Sequence, residues 1–181
     1  GLAGCEAAWQ AAQRGIQVAL YEMRPGVQTG AHRTDQLAEL VCSNSLGSNQ
    51  LDRPSGLLKE ELRLLGSLLD ECADRSALPA GAALAVDRDL FATAVEQAIS
   101  NHPNIRILRE EVRSIPNQPA IIASGPLTTP DLVKSIQDLT GQEHLFFYDA
   151  IAPVVMADSI DMNVAFRGSR YEGGNGEAGD Y

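Results

Sequence analysis

The sequence is poor in cysteine, in basic residues and in long apolar runs. Three cysteines cannot all pair and are too few for a disulfide scaffold, so a reducing compartment, the cytoplasm, is predicted. Fourteen basic residues stand against 24 acidic ones, for a formal net charge of −10. This excess argues against non-specific nucleic-acid binding, although it leaves RNA open as a substrate. The chain has no apolar run long enough to predict a membrane span, and no pattern in it predicts secretion.

What the sequence does contain is typical of an α/β protein. Hydrophobic residues make up 44% of the 181, enough for a folded core in one or two domains. The first residue is Gly1, so we expect the chain to begin inside a longer protein. Helices are predicted over 5–14, 55–74, from Asp87 or Asp89 to 101, and from Pro130 onward. Strands are predicted over 16–21, 105–108, 112–115, 120–123, 145–148 and 154–156, with loops at 24–36, 40–48 and 168–180.

The first 22 residues follow the second half of a dinucleotide-binding fingerprint. Two glycines, Gly1 and Gly4, stand at the start of a predicted helix. A predicted strand follows this helix, and Glu22 stands at the end of the strand. In this pattern the backbone amides of Gly1, Leu2, Ala3 and Gly4 approach a pyrophosphate, and the acid binds a ribose hydroxyl. The first strand and first glycine would precede residue 1. An acid at this place favours FAD or NAD over NADP. The alternatives are an ordinary helix start and a surface charge at Glu22.

A second candidate region follows the apolar run 120–123. The residues Ser124 and Gly125 come directly after it. In two-domain flavoproteins such a strand commonly returns the chain to the cofactor. A plain strand-to-turn transition is an almost equally good interpretation.

Cys42 lies in a segment rich in Ser and Gly, after the strand that would bind the ribose. A thiol in such a loop is a candidate nucleophile, whereas a buried, inert cysteine is the alternative. Cys5 and Cys72 fall on amphipathic helices and are expected in the core. The chain has three histidines and no Cys-x-x-Cys pair, so no metal site is predicted.

Six motifs together resemble the folate- and FAD-dependent tRNA uracil-5-methyltransferases. They span nearly the whole chain in order and comprise Gly1-Leu2-Ala3-Gly4 with Glu6-Ala7-Ala8-Trp9, Leu20-Tyr21-Glu22-Met23-Arg24-Pro25, Leu40-Val41-Cys42-Ser43-Asn44-Ser45, Ala85-Val86-Asp87-Arg88-Asp89, Phe147-Tyr148-Asp149-Ala150-Ile151-Ala152-Pro153 and Ser169-Arg170-Tyr171. The larger glucose-inhibited-division-type flavoproteins, which modify the tRNA wobble uridine, share the fingerprint but not the second motif.

The resemblance implies a fold and a set of site residues. The fold would be a Rossmann-like FAD-binding domain over 1–126, incomplete at its start, with an inserted α/β or α+β domain beginning in 127–181. The catalytic residue would be Cys42. The cofactor-binding residues would be Gly1, Leu2, Ala3, Gly4, Glu22, Met23, Arg24, Ser124 and Gly125. The second cysteine of the family, in an Asn-Cys-Pro segment, has no counterpart, so we expect this piece alone to be inactive.

The resemblance also implies a reaction. Methylenetetrahydrofolate would give a carbon to C5 of a T-loop uridine in tRNA, reduced FAD would give electrons, and NADH or NADPH would regenerate the flavin. Uracil C5 is a poor nucleophile until a thiolate adds to C6. Besides the wobble-uridine enzymes, the alternatives are an ordinary FAD/NAD oxidoreductase and a non-enzymatic flavin- or RNA-binding scaffold. The sequence leaves the oligomeric state open.

Overall fold

The computed structural model describes residues 1–142 and 156–165, which form helices and both parallel and antiparallel strands. Of these, 1–41 and 92–142 belong to one compact unit and 42–91 and 156–165 to a second. The α-helices and strands are, in chain order, α1 Leu2–Gln13, β1 Val18–Tyr21, β2 Ser45–Ser48, α2 Pro54–Leu64, α3 Leu68–Arg75, β3 Ala77–Leu78, β4 Ala83–Val86, α4 Arg88–Asn101, β5 Ile105–Leu108 and α5 Pro130–Thr140. The α/β class predicted from the sequence is confirmed; the domain boundary at 126 stays a prediction.

The first unit is built around α1 and a two-stranded parallel sheet. Strand β1 pairs with β5, with Val18 opposite Ile105. The helix α1 is rich in alanine, a strong helix former, and the chain turns after it at Gly15, where φ is +81°. Its buried residues, Cys5, Ala8 and Ala12, are small. The helix can therefore lie close to the sheet, which brings its first turn level with the end of β1.

Helix α4 begins where the sequence predicts. Asp87 is its cap, since Oδ1 accepts hydrogen bonds from the amides two and three residues later, at 3.0 and 2.9 Å. Phe91, Val95 and Ile99 are fully buried, as expected. The prediction that Leu90 also faces inward is wrong, because this side chain lies on the outer side of the helix and is 61% exposed.

The second unit contains a three-stranded antiparallel sheet in the order β2-β4-β3. The prediction of a loop over 40–48 is wrong for 45–48. Ser45 pairs with Ala85 and Ser48 with Ala83, so pairing with the fully buried strand β4 outweighs the low β-propensity of Ser and Gly.

The single helix predicted over 55–74 is two helices. The chain turns at Gly66, where φ is +75°, and Ser67 Oγ then accepts a hydrogen bond from Asp70 N at 3.2 Å as the cap of α3. Ser55 is not the cap of α2, because Pro54 already occupies its first position.

Two predicted strands are absent from the part of the chain that the structure describes. Residues 112–115 and 120–123 have no strand partner there, and Ile121 is 75% exposed. An apolar run forms a strand only when a neighbouring strand pairs with its backbone. The strand predicted at 145–148, most of that at 154–156, and the loop at 168–180 lie outside the described residues. Within 1–142 and 156–165, no helix has the length and apolar character that a membrane crossing requires.

Helix α5 starts at Pro130 after Thr129 and ends at Gly141, where φ is +66°. Leu132 is buried as predicted, whereas Leu139, also predicted to face inward, is 71% exposed on the last turn. The amide of Ile115 donates to Ser135 Oγ at 3.0 Å and ties the preceding segment to this helix.

Candidate functional site

The first turn of α1 exposes backbone donors that the helix itself does not use. Gly1 is the N-cap and makes no side-chain capping hydrogen bond, and this turn contains no acidic side chain. The amides of Leu2, Ala3 and Gly4 belong to the first turn, where N–H groups lack an acceptor within the helix. The positive end of the helix dipole adds to their attraction for an anion.

The two glycines of this turn are not tightly enclosed by the rest of the chain. A Cβ placed on Gly1 would meet only the carbonyl oxygen of Ala123, at 3.9 Å. One placed on Gly4 would lie 3.7 Å from Ala123 Cβ and 3.8 Å from Leu20 Cδ1, which are ordinary contacts. Packing within the chain therefore does not require glycine at either position.

Glu22 lies beside the same turn. Its amide donates to the carbonyl oxygen of Leu108 at 2.9 Å, which continues the β1–β5 pairing by one residue. The side chain is buried, and its Oε2 lies 3.7 Å from the nitrogen of Gly1. The structure thus brings together the glycine turn and the acid that the fingerprint pairs in sequence.

The carboxylate of Glu22 is held ionised. Burial alone would raise its pKa, but hydrogen bonds from the side chain and the amide of Arg24, together with the charge of this arginine, outweigh burial and lower the pKa. Near neutral pH this group is consequently a hydrogen-bond acceptor only, which suits a ribose hydroxyl and repels a phosphate. The donor set of the first turn and this acceptor fit the diphosphate and ribose of FAD.

Two further residues after β1, Met23 and Arg24, were predicted to bind the cofactor, and they differ in burial and in their partners. Met23 is half-buried, and its carbonyl oxygen accepts a hydrogen bond from Val27 N at 2.9 Å. Arg24 is 1% exposed and binds Glu22 and Glu39. Their contact with a cofactor stays a prediction.

The segment ending in Ser124 and Gly125 returns to the start of α1. Ala123, the residue before Ser124, is the nearest neighbour of a Cβ placed on Gly1 and of one placed on Gly4. Thr128 Oγ1 lies 2.7 Å from Ser124 Oγ and 2.7 Å from the carbonyl oxygen of Gly125, so a short turn follows directly. The predicted binding residues at 124 and 125 are therefore near the first turn, and their role stays a prediction.

Cys42 belongs to the second unit and is the one exposed thiol of the three. Two residues later, Asn44 fixes the chain to β4, since its carbonyl oxygen accepts from Val86 N at 3.0 Å and its side chain donates to Val86 O at 3.2 Å. The prediction that Cys5 and Cys72 are core residues is confirmed, and burial raises the pKa of the Cys5 thiol. The alternative that Cys42 is buried is wrong, and its role as a nucleophile stays a prediction.

Two further residues near these segments were missed in the sequence. Glu39 binds Arg24, fifteen positions away in the chain, and no local pattern signals such a pair. Lys59 is buried, with Nζ donating to the carbonyl oxygens of Ser48 at 2.8 Å and Ser55 at 3.1 Å, and burial lowers its pKa. A lysine on an amphipathic helix would ordinarily be assigned to the solvent face.

Comparison with known proteins gives consistent names. A family model described as Glucose inhibited division protein A matches residues 1–179. Three relatives are each named methylenetetrahydrofolate--tRNA-(uracil-5-)-methyltransferase TrmFO. The relative from Anoxybacillus flavithermus is 58% identical over 174 residues, that from Bacillus velezensis 57% and that from Bacillus cereus 55%. Each alignment covers 96% of this chain and 40% of the relative, so the chain spans about two fifths of the length of these relatives.

Proposed function

Because the chain belongs to the glucose inhibited division protein A family, we propose that the first turn of α1 and Glu22 bind the adenosine diphosphate half of FAD. The observation that carries this proposal is the distance of 3.7 Å between the Gly1 nitrogen and Glu22 Oε2. It places open amide donors beside an ionised acceptor, as a diphosphate joined to a ribose requires.

The whole protein, on this proposal, methylates a T-loop uridine of tRNA at C5 in the bacterial cytoplasm. The relatives are named as methylenetetrahydrofolate--tRNA-(uracil-5-)-methyltransferases, and the motifs predicted the same family. Methylenetetrahydrofolate supplies the carbon, and bound FAD, reduced by NADH or NADPH, supplies two electrons that convert the transferred methylene group to methyl.

Cys42 is the thiol of this chain that we assign to the reaction. It is exposed, whereas the other two cysteines are buried. A thiolate can add to uracil C6 and make C5 nucleophilic, assist removal of the C5 proton, or shield the flavin. All three roles require an accessible sulfur near the substrate.

The test uses the protein expressed from its complete reading frame. It measures transfer of label from methylenetetrahydrofolate into tRNA, against a tRNA whose T-loop uridine is replaced by cytidine. We expect label only in the uridine-containing tRNA. Cys42→Ser should abolish the transfer while flavin content stays normal, and Glu22→Gln should lower the flavin content itself.

The matched control is Glu61→Gln on the exposed face of α2, which should change neither quantity. Equal labelling of both tRNAs, or none with the loaded wild type, would contradict the methyltransferase proposal. Wild-type flavin content in Glu22→Gln would contradict the nucleotide site instead.

A further inference from the structure

The guanidinium of Arg24 is completely satisfied inside the chain. Its side chain is 1% exposed, and an arginine has five N–H donors. Each of the five has a partner: Glu22 Oε1 at 2.9 Å, Glu22 Oε2 at 3.1 Å, Glu39 Oε2 at 2.8 Å and the carbonyl oxygens of Thr34 at 3.0 Å and Gln36 at 2.9 Å. No donor of this side chain remains for a ligand.

The pair with Glu22 is bidentate, which fixes the plane of the carboxylate as well as its charge. The amide of Arg24 also donates to Oε1, at 3.2 Å, so the carboxylate accepts three hydrogen bonds from this residue. Three acceptor positions of the carboxylate are thereby occupied, out of about four. Oε2 also faces the nitrogen of Gly1, so the remaining acceptor capacity lies on the side of the first turn of α1.

The other side of the guanidinium is fixed by Glu39. This carboxylate also accepts hydrogen bonds from the amides of Arg33 at 2.8 Å and Thr34 at 3.2 Å, and from Thr34 Oγ1 at 3.0 Å. The residue before it, Ala38, is fully buried with φ of +56°, a conformation that alanine adopts only under strong constraint. The position of Arg24 is therefore set by the whole loop 33–39.

We propose that Arg24 is a positioning residue for the nucleotide: it acts only through Glu22, whose carboxylate it holds in place and aims at the ribose, and it touches no part of the cofactor. This inference rests on the proposed FAD site. It differs from the sequence-based expectation that Arg24 binds the cofactor directly. It also means that the arginine is no receptor for a 2′-phosphate, so the site selects a nucleotide with a free 2′-hydroxyl.

A purely structural role, tying the loop to β1, would weaken binding equally at every pH. A positioning role would not, because without Arg24 the buried carboxylate of Glu22 loses its main partner and its pKa rises. The other titratable groups around Glu22 are Cys5 on α1 and His32 from the loop, with Glu39 on the other side of Arg24. Glu39, left without its partner, would raise the pKa of Glu22 further.

The experiment measures FAD affinity between pH 8 and pH 5, by titration of the apoprotein expressed from its complete reading frame. We expect the wild type to change less than about twofold over this range. Arg24→Gln should lose at least about tenfold in affinity on acidification, and the double variant Arg24→Gln/Glu22→Gln should be flat again. If Arg24→Gln does not fold, Arg24→Lys is used instead. Its FAD affinity should fall by at least about threefold on acidification.

The control is Arg63→Gln, which removes a bidentate pair with Asp74 in the second unit, at 2.8 Å for both bonds. The FAD affinity of this variant should equal that of the wild type at every pH. A pH profile of the Arg24 variant parallel to that of the wild type overturns the positioning role, as does a slope that survives in the double variant. Failure of the FAD site itself is seen separately, as wild-type affinity of Glu22→Gln at pH 8.

Discussion

Replacing Gly1 by alanine should separate binding from folding. Its Cβ would meet only Ala123 O at 3.9 Å, so packing does not oppose it. Alanine is a poorer N-cap than glycine, but it also restricts the unfolded chain, so the free energy of unfolding should change by less than about 1 kcal/mol. The methyl group would, however, stand where a diphosphate must approach the amides. Losing one hydrogen bond to a charged group costs about 1.5–3 kcal/mol, or roughly tenfold to a hundredfold in FAD affinity.

The assay is FAD titration of the protein made from its complete reading frame, with thermal unfolding of the same sample. Gly30→Ala is the matched control. It adds the same methyl group in the loop after β1, where no atom lies within 4 Å of the added carbon, and should keep both FAD affinity and stability. Wild-type affinity in Gly1→Ala, or an equal loss in both variants, would refute the reasoning.

Two predictions concern stability. Gly56→Ala would place a Cβ 1.9 Å from Gln50 O, so the backbone of a neighbouring segment must move. We expect the free energy of unfolding to fall by about 1–3 kcal/mol, which is measured as a lower Tm. An unchanged Tm would be inconsistent with the packing of α2. The folded-state pKa of Glu22 lies below its ordinary value of 4.5, so its contribution to stability is present above pH 4.5 and is lost as pH falls through the lowered pKa. Urea unfolding should show that the free energy of unfolding falls by at most about 3 kcal/mol over that range in the wild type, and by less in Glu22→Gln. The same dependence of this free energy on pH in both proteins would contradict the ion pair.

The sequence predicts those parts of the fold whose signals are local. An alanine-rich run closed by Gly15 defines α1, and Asp87 followed by apolar residues at helical spacing defines the start of α4. The juxtaposition of Gly1 and Glu22 was also predictable, because a helix packed against its following strand brings these two ends together.

Parts that depend on distant partners could not be predicted. Strand β2 forms from weak strand residues because β4 lies beside it, whereas the apolar residues at 120–123 have no strand partner in the described chain. The same holds for the site. The partnership of Arg24 with Glu39 depends on a loop that returns after fifteen residues, and the exposure of Cys42 is not encoded in the Ser- and Gly-rich segment around it.

The most direct test is an experimental structure of the flavin-loaded protein, expressed from its complete reading frame. We expect the diphosphate oxygens of FAD within hydrogen-bond distance of the amides opening α1, a ribose hydroxyl on the carboxylate of Glu22, and Arg24 without contact to the cofactor. A diphosphate bound elsewhere, with this turn facing only solvent, would contradict the account.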